Sequence, residues 1–379
     1  MWSAGATWAG EHHMASESAA SVRAKLLASV FVFCALASEA ASFTATGSMS
    51  IARAGHSAVL LANGQVLIVG GSNQNTAEIY NPSTGTFGIV ASTLSSTKIE
   101  RAIALRNGQV LICGSDGAEL FDPQTGAFTP TGSMLTRRTG FSATLLPDDS
   151  VLLAGGLLVE GNTVREPLAS AEIYDPTTGS FRPTGAMASA RTEHVAVLLA
   201  HGKVLVAGGL GTPVGSVLTL LGTAELFDPA TGTFSPTGSM TIPRWGARAS
   251  GLGDGKVLIV GGVERDGREN TRTEIYDEST MSFAVTGEME CPRTGHTVTL
   301  LRSGEVLIVG GPDCSFAESY NLVSGLFQRA AKLLDDRELH TATLLMNGKV
   351  LVTGGSNVGP LATAELYDAV PTRRRAVRH

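Results

Sequence analysis

The 379-residue chain is poor in charge, in aromatic rings and in helical pattern. Only 16% of it is charged, and a formal net charge of −6 supplies no basic surface for a nucleic-acid backbone. The one long apolar run, Leu26 to Ala37, is twelve residues, too few for a comfortable membrane span. No stretch between residues 43 and 370 shows the 3.6-residue hydrophobic period of a packed helix. The sole like-charge cluster, Arg373-Arg374-Arg375 with Arg378, lies in the tail 371–379 and reads as a solvated, frayed end. No nucleophile–base pairing, phosphate loop or metal-ligand motif stands out, so neither a catalytic residue nor a cofactor or metal is expected.

Glycine is what the chain has in plenty, at 45 residues, and it recurs in order. The stretch Asn63-Gly64-Gln65-Val66-Leu67-Ile68-Val69-Gly70-Gly71 returns around Gly114, and before the pairs Gly155-Gly156, Gly208-Gly209, Gly261-Gly262, Gly310-Gly311 and Gly354-Gly355. Each copy reads as a tight turn, a buried apolar strand, and a glycine pair where backbone passes close to backbone. Seven copies make this a repeat protein.

The repeat has a fixed ruler. Phe43 to Arg53 is ten residues, and the same step separates Phe128 from Arg138, Phe181 from Arg191, Phe234 from Arg244, Phe283 from Arg293 and Phe327 from Arg337. A Glu (Glu78, Glu119, Glu172, Glu225, Glu274, Glu318) stands nine residues before each following Phe, and Glu365 completes the series. Length varies in one place only, between the glycine pair and the Glu. The parts read as four strands per repeat: one after Arg-x-Gly-His, one ending in Gly-Gly, one at Ala-Glu-Ile-Tyr, and one starting at the Phe. A turn such as Asp122-Pro123-Gln124-Thr125-Gly126 joins the last two, with proline fixing its start and glycine supplying a positive φ.

Arg-x-Gly-His, Gly-Gly, Glu-x-Tyr-Asp and the aromatic that follows resemble the kelch repeat over nearly the whole of residues 42–370. Phe stands where kelch repeats usually carry Trp, and the second copy is degenerate, with Thr97 and Glu100 replacing Arg and His. The resemblance implies an all-β fold, a seven-bladed propeller of four-stranded antiparallel blades. The last repeat stops after its third strand, and the chain opens with a lone fourth strand at Phe43. The N-terminal strand is therefore expected to complete the last blade and close the ring, leaving no free sheet edge.

Residues 1–41 fall outside the repeat. Arg23 and Lys25, the apolar run and the small residues Ala37–Ser42 have the layout of a secretory signal peptide cleaved near Ala40 or Ala41, with Met14 as a possible true start. The expectation is an exported protein, extracellular or periplasmic, and monomeric. In that oxidising setting Cys291 and Cys314, both on the loop face of the sixth blade, are a disulfide candidate.

The variable loops lie on one face, and the long ones, Leu157–Ser170, Leu210–Thr223 and Val263–Arg272, belong to consecutive blades. The resemblance implies that Arg53, Arg138, Arg191, Arg244, Arg293 and Arg337 can line the central mouth of that face, where some kelch propellers bind acidic groups. The competing reading pairs each Arg with the recurring Glu as a structural clamp. His56, His194, His296 and His340 follow the Arg by three residues, and the repeat accounts for them without a metal. Trp245, with Arg244 and Arg248 close by, departs from the repeat, and an aromatic plane beside guanidinium groups suits sugar stacking or an aromatic hot spot. The reading favours a non-enzymatic binding module for a protein or glycan. The alternative is a carbohydrate-active enzyme such as a sugar epimerase. A copper radical oxidase, the other kelch-type activity, is disfavoured because all five tyrosines occupy one structural position of the repeat.

Overall fold

The computed structural model describes residues 40–71, 75–92, 99–115, 117–161, 163–214 and 217–369. The expected signal peptide, Cys34, Thr97 and the basic tail lie outside these residues. Among the described residues there is no α-helix, hence none long and apolar enough to cross a membrane.

Seven four-stranded antiparallel sheets account for most of the described chain. Sheet one comprises Ser57–Leu60, Val66–Val69, Thr76–Asn81 and Thr86–Ser92; sheet two Ile99–Ala104, Val110–Gly114, Ala118–Asp122 and Ala127–Pro130. Sheet three is Ser142–Leu145, Val151–Ala154, Ala171–Asp175 and Ser180–Pro183; sheet four Val195–Leu198, Val204–Ala207, Ala224–Asp228 and Thr233–Pro236. Sheet five is Arg248–Gly251, Lys256–Val260, Arg272–Asp277 and Ser282–Glu288; sheet six Thr297–Leu300, Val306–Val309, Phe316–Asn321 and Leu326–Lys332. Sheet seven takes Thr341–Leu344, Val350–Thr353 and Ala364–Asp368 from the end of the chain and its fourth strand, Ser42–Ala45, from the start. Phe43 lies opposite Tyr367 in that last pairing, with ring centroids 5.1 Å apart.

Each second strand is the apolar run read from the sequence. Val66–Val69 and its counterparts are buried on both faces, which is why they show no polar alternation: one face packs on the preceding sheet and the other on the next. The glycine pair ends this strand because side chains do not fit there. A Cβ on Gly155 would meet the Arg191 carbonyl of the next sheet at 2.4 Å, and the φ of Gly155 is +63°. The amide of Gly156 donates to that same carbonyl at 2.9 Å, and Gly209, Gly262 and Gly311 repeat the bond one sheet on. Gly355 of sheet seven donates to Arg53 at the entrance of sheet one at 2.8 Å.

The long loops also form strands. Leu157–Glu160 pairs with Arg138–Thr139 on one side and Thr163–Pro167 on the other, and Leu210–Val214 pairs with Val217–Leu220 as a hairpin. Cys291 and Cys314 are joined in a disulfide with Cα atoms 6.2 Å apart.

Candidate functional site

Two concentric sets of side chains stand at the starts of the first strands. The outer set is the Arg row. Arg53, Arg138, Arg191, Arg244, Arg293 and Arg337 are each at most 2% exposed. Every one donates to a Glu of its own sheet, from 2.6 Å for Arg138–Glu172 to 3.3 Å for Arg53–Glu78. Each also donates to the carbonyl of the first glycine of its pair, as Arg191 does to Gly208 at 2.9 Å. The Glu closes the clamp by accepting backbone N–H groups of the incoming segment, as Glu225 does from Ala188 at 2.7 Å. Burial lowers the pKa of Arg191, and Glu225 opposes the shift through its hydrogen bond and charge. The expectation that this row lines the mouth for an acidic ligand is therefore corrected. The guanidiniums are spent on glutamates and carbonyls, and a ligand meeting solvent-facing atoms does not reach them.

The inner set lines a cavity of about 1200 Å³ walled by the first strands of all seven sheets. The residue four positions after the repeat Arg faces it: Ser57, Arg101, Ser142, Val195, Arg248, Thr297 and Thr341. Most of these meet the residue three positions after the Arg in the following sheet, and those junctions are chemically matched. Thr341 Oγ1 lies 2.9 Å from His56 Nε2, Ser142 Oγ 2.8 Å from His194 Nε2, and Thr297 Oγ1 2.9 Å from His340 Nε2. Where Arg101 replaces the hydroxyl, Phe141 replaces the His, and the guanidinium lies 5.8 Å from the ring centroid. Val195 and Ala247 make the matching apolar pair.

The histidine row thus joins sheet to sheet. Burial foremost, with nearby arginine charge, pushes His56 and His194 down to about 3, so both rings are neutral at pH 7.

One junction does not match. Arg248 stands where the other junctions of a His carry a hydroxyl, and it faces His296. His296 is 1% exposed, and no side chain among the described residues satisfies either ring nitrogen. The Val260 backbone lies near enough to favour the charged ring, but burial and the Arg248 charge outweigh it and hold the pKa well below its usual value.

Four charged groups, Glu100, Arg101, Glu193 and Arg248, share the cavity. Arg101 donates to the Glu100 carbonyl at 2.7 Å and Arg248 to the Ala247 carbonyl at 3.3 Å; neither makes an ion pair among the described residues. Arg248 is open to the cavity yet deep within its walls. Desolvation lowers its pKa, Glu193 raises it by attraction, and Arg101 lowers it by repulsion. Glu193 occupies a position where four repeats have glycine (Gly55, Gly140, Gly246, Gly295), and it holds a left-handed φ of +51°. Its carboxylate is exposed and has no bond among the described residues. Glu100, also at the wall, accepts from Thr139 Oγ1 at 2.7 Å and from the Gly140 amide at 3.4 Å.

Of the residues proposed from sequence as ligand-binding, Arg248 alone lines this cavity. Trp245 does not. It is half-buried, and its backbone pairs with Val263 at the start of the long loop of sheet five, at 2.9 and 3.2 Å. Arg244 is buried in a clamp on Glu274 and offers no guanidinium to a ligand stacked on Trp245. Arg101 and Glu193 were passed over in sequence. Their signal was a break in a register column, visible only when the seven copies are read position by position.

Together the sheets and the site define an all-β repeat protein built of propeller-like blades. The comparisons sharpen this. Over 127 residues, 33% of the chain, it is 32% identical to an F-box/kelch-repeat protein of Arabidopsis thaliana, and the match spans 31% of that relative. No family model matches. Among solved structures it is similar to a fungal alcohol oxidase of the AA5 family in complex with copper, at a TM-score of 0.68, covering 86% of this chain and 75% of that one. At 14% identity that likeness is one of fold. The repeat is thus similar to that of the kelch-repeat relative over the matched third of the chain, and the fold is similar to that of the oxidase.

The residues present do not fit a copper centre like that of the fungal oxidase. The hydroxyls of Tyr80, Tyr174, Tyr276 and Tyr320 lie 2.6–2.9 Å from Thr46, Thr131, Thr237 and Thr286 of the preceding sheet. No group of three His, Cys, Asp or Glu among the described residues is placed to hold a metal.

Proposed function

We propose that this protein is an exported, monomeric binding module. In this reading its seven sheets close into a seven-bladed kelch-type propeller, and it recognises a protein or glycan partner through the loop face. Closure is supported by the Ser42–Ala45 strand on Ala364–Asp368, by the Gly355–Arg53 bond, and by the His56–Thr341 contact between sheets seven and one. The Cys291–Cys314 disulfide suits an oxidising compartment. The observation that carries the binding reading is the cavity. Arg101, Arg248 and Glu193 break the repeat there, at positions that the other blades fill mostly with small residues. Departures from a repeat that are not used for packing mark the places where a repeat protein is specialised. Protein binding is also consistent with the name of the kelch-repeat relative, although only a third of that chain is matched.

The test is a glycan array and a pull-down, run with the native protein and with an Arg101→Met/Arg248→Met double variant of unchanged melting temperature. Saturable binding that the double variant loses is expected. Retention of every ligand by the double variant removes the cavity from the binding site, and absence of any ligand removes the binding reading.

A further inference from the structure

Each of the seven sheets ends in an outer strand whose far edge meets no further strand of its sheet. Such an edge is a row of unpaired N–H and C=O groups, and it pairs with other strands unless it is short, charged or blocked by proline. Most of the sheets carry one of these guards. In sheets two, three and four the residue two after the repeat Phe is Pro130, Pro183 or Pro236, and the outer strand stops there after four residues. Sheet seven also closes with four residues, Ser42–Ala45. Sheet six runs seven residues but sets Arg329 at the proline position, where it pairs with Glu290 and lies 4.2 Å from the Phe316 ring centroid.

Sheets one and five have none of these guards. Their outer strands, Thr86–Ser92 and Ser282–Glu288, run seven residues, and the proline position holds Ile89 and Val285. Both β-branched side chains are more than half exposed, at 59% and 54%. The register says where their amides point. Ile89 lies opposite Glu78 and Val285 opposite Glu274, just as Pro130, Pro183 and Pro236 lie opposite Glu119, Glu172 and Glu225. A position that accepts proline gives no N–H to the ladder, so an N–H there points away from the sheet. At Ile89 and Val285 that outward N–H is present, and neither residue makes a backbone bond outside its own sheet among the described residues. Antiparallel alternation gives Phe87 and Phe283, two residues earlier, the same orientation. A row of donors and acceptors at two-residue spacing is matched by another extended backbone. Thr86–Ser92 carries no charge and Ser282–Glu288 only Glu288 at its end, so neither edge repels an uncharged strand, and Glu288 suits a cation at the end of one.

We infer that the outer edges of sheets one and five are docking strands for an extended segment of a protein partner, β-branched and uncharged along its length with a cation at one end. The segment adds to either sheet as a fifth strand, held by backbone bonds and selected by the side chains it sets against Ile89 or Val285. Two such edges on one chain would link copies into open strings if they paired with themselves, so a separate segment is the occupant. The surface is distinct from the cavity, which the first strands line at the opposite edge of each sheet.

The experiment is a fluorescence anisotropy titration of the purified protein with a labelled, end-blocked peptide alternating valine and threonine and ending in lysine. The control is the same peptide N-methylated at alternate residues, which keeps its side chains and loses its backbone donors. The variants are Ile89→Pro, Val285→Pro and the pair, and their melting temperatures should stay within a few degrees because three sister sheets hold proline at this register. The native protein should bind about two peptides per chain, either single variant about one, and the double variant and the methylated control none. If a proline variant does not fold, Ile89→Lys and Val285→Lys put a charge on the edge as Arg329 does, and they should abolish binding in the same way. Arg101→Met/Arg248→Met should bind the peptide as the native protein does, and loss in that variant would place the peptide in the cavity and overturn the edge site. Undiminished binding by the double proline variant, equal binding of the methylated control, or no binding at all also overturns it. Self-association of the native protein that the double proline variant abolishes would give the edges to a second copy and overturn the partner segment.

Discussion

Two sets of arginines stand four residues apart on the same strands, and they have opposite fates. Arg191 and its five equivalents are sealed from solvent, each on a glutamate and on glycine carbonyls. Arg101 and Arg248 line the cavity with backbone carbonyls as their only acceptors among the described residues. The first set recurs in six copies and the second in two. A side chain that every blade repeats does the same structural task in each, whereas one that two blades carry is free to serve a ligand. Chemical type alone does not separate the two. Register does.

The contrast is broken most directly by removing one member of each set. Arg191→Ala leaves Glu225 buried without its cation and should cost about 3–5 kcal/mol in urea unfolding. Arg248→Ala should cost nothing measurable by the same assay, and comparable losses in the two variants would erase the distinction. Opening the Cys291–Cys314 disulfide, by paired Cys→Ser changes or by reductant, should lower stability by about 2–4 kcal/mol without touching the cavity.

Acid sharpens the comparison through the histidines that lie between the two sets. His56 and His194 are held near 3 in the fold against an ordinary 6.5, so the unfolded chain binds protons that the native protein does not. Their contribution is fully present above about pH 6.5 and is lost progressively as the pH falls towards about 3. Melting temperatures followed from about pH 7 to pH 4 should therefore decline, and His194→Gln should flatten the decline. An unchanged slope would mean that the half-buried His194 is not neutral in the fold. The smallest effect is expected from Tyr174→Phe. It removes the hydroxyl contact with Thr131 at 2.9 Å and should cost about 1 kcal/mol, since sheet four already carries Phe227 at that position.

Most of the architecture was legible in the chain because the repeat is regular. Fixed steps from Phe to Arg and from Glu to Phe placed the four strands of each copy, and Arg and Glu recurring together pointed to a clamp. The expectation of an Arg-lined mouth failed for a reason of geometry. The Arg opens its strand at the outer edge of the inner wall and turns towards the Glu of its own sheet, not towards the axis. Trp245 stands out as a unique residue, but its backbone pairs with Val263 at the loop of sheet five, and it does not line the cavity.

Sequence by itself determined the period, the strands, the glycine pairs and the identity of the clamp partners, because each is a local or nearest-copy relation repeated along the chain. Only the tertiary structure decided which charged groups meet. Arg101, Glu193 and Arg248 are spread over 148 positions of the sequence and come from sheets two, four and five. They share one space because the first strands of all the sheets converge on a single cavity, and no spacing along the chain encodes that convergence.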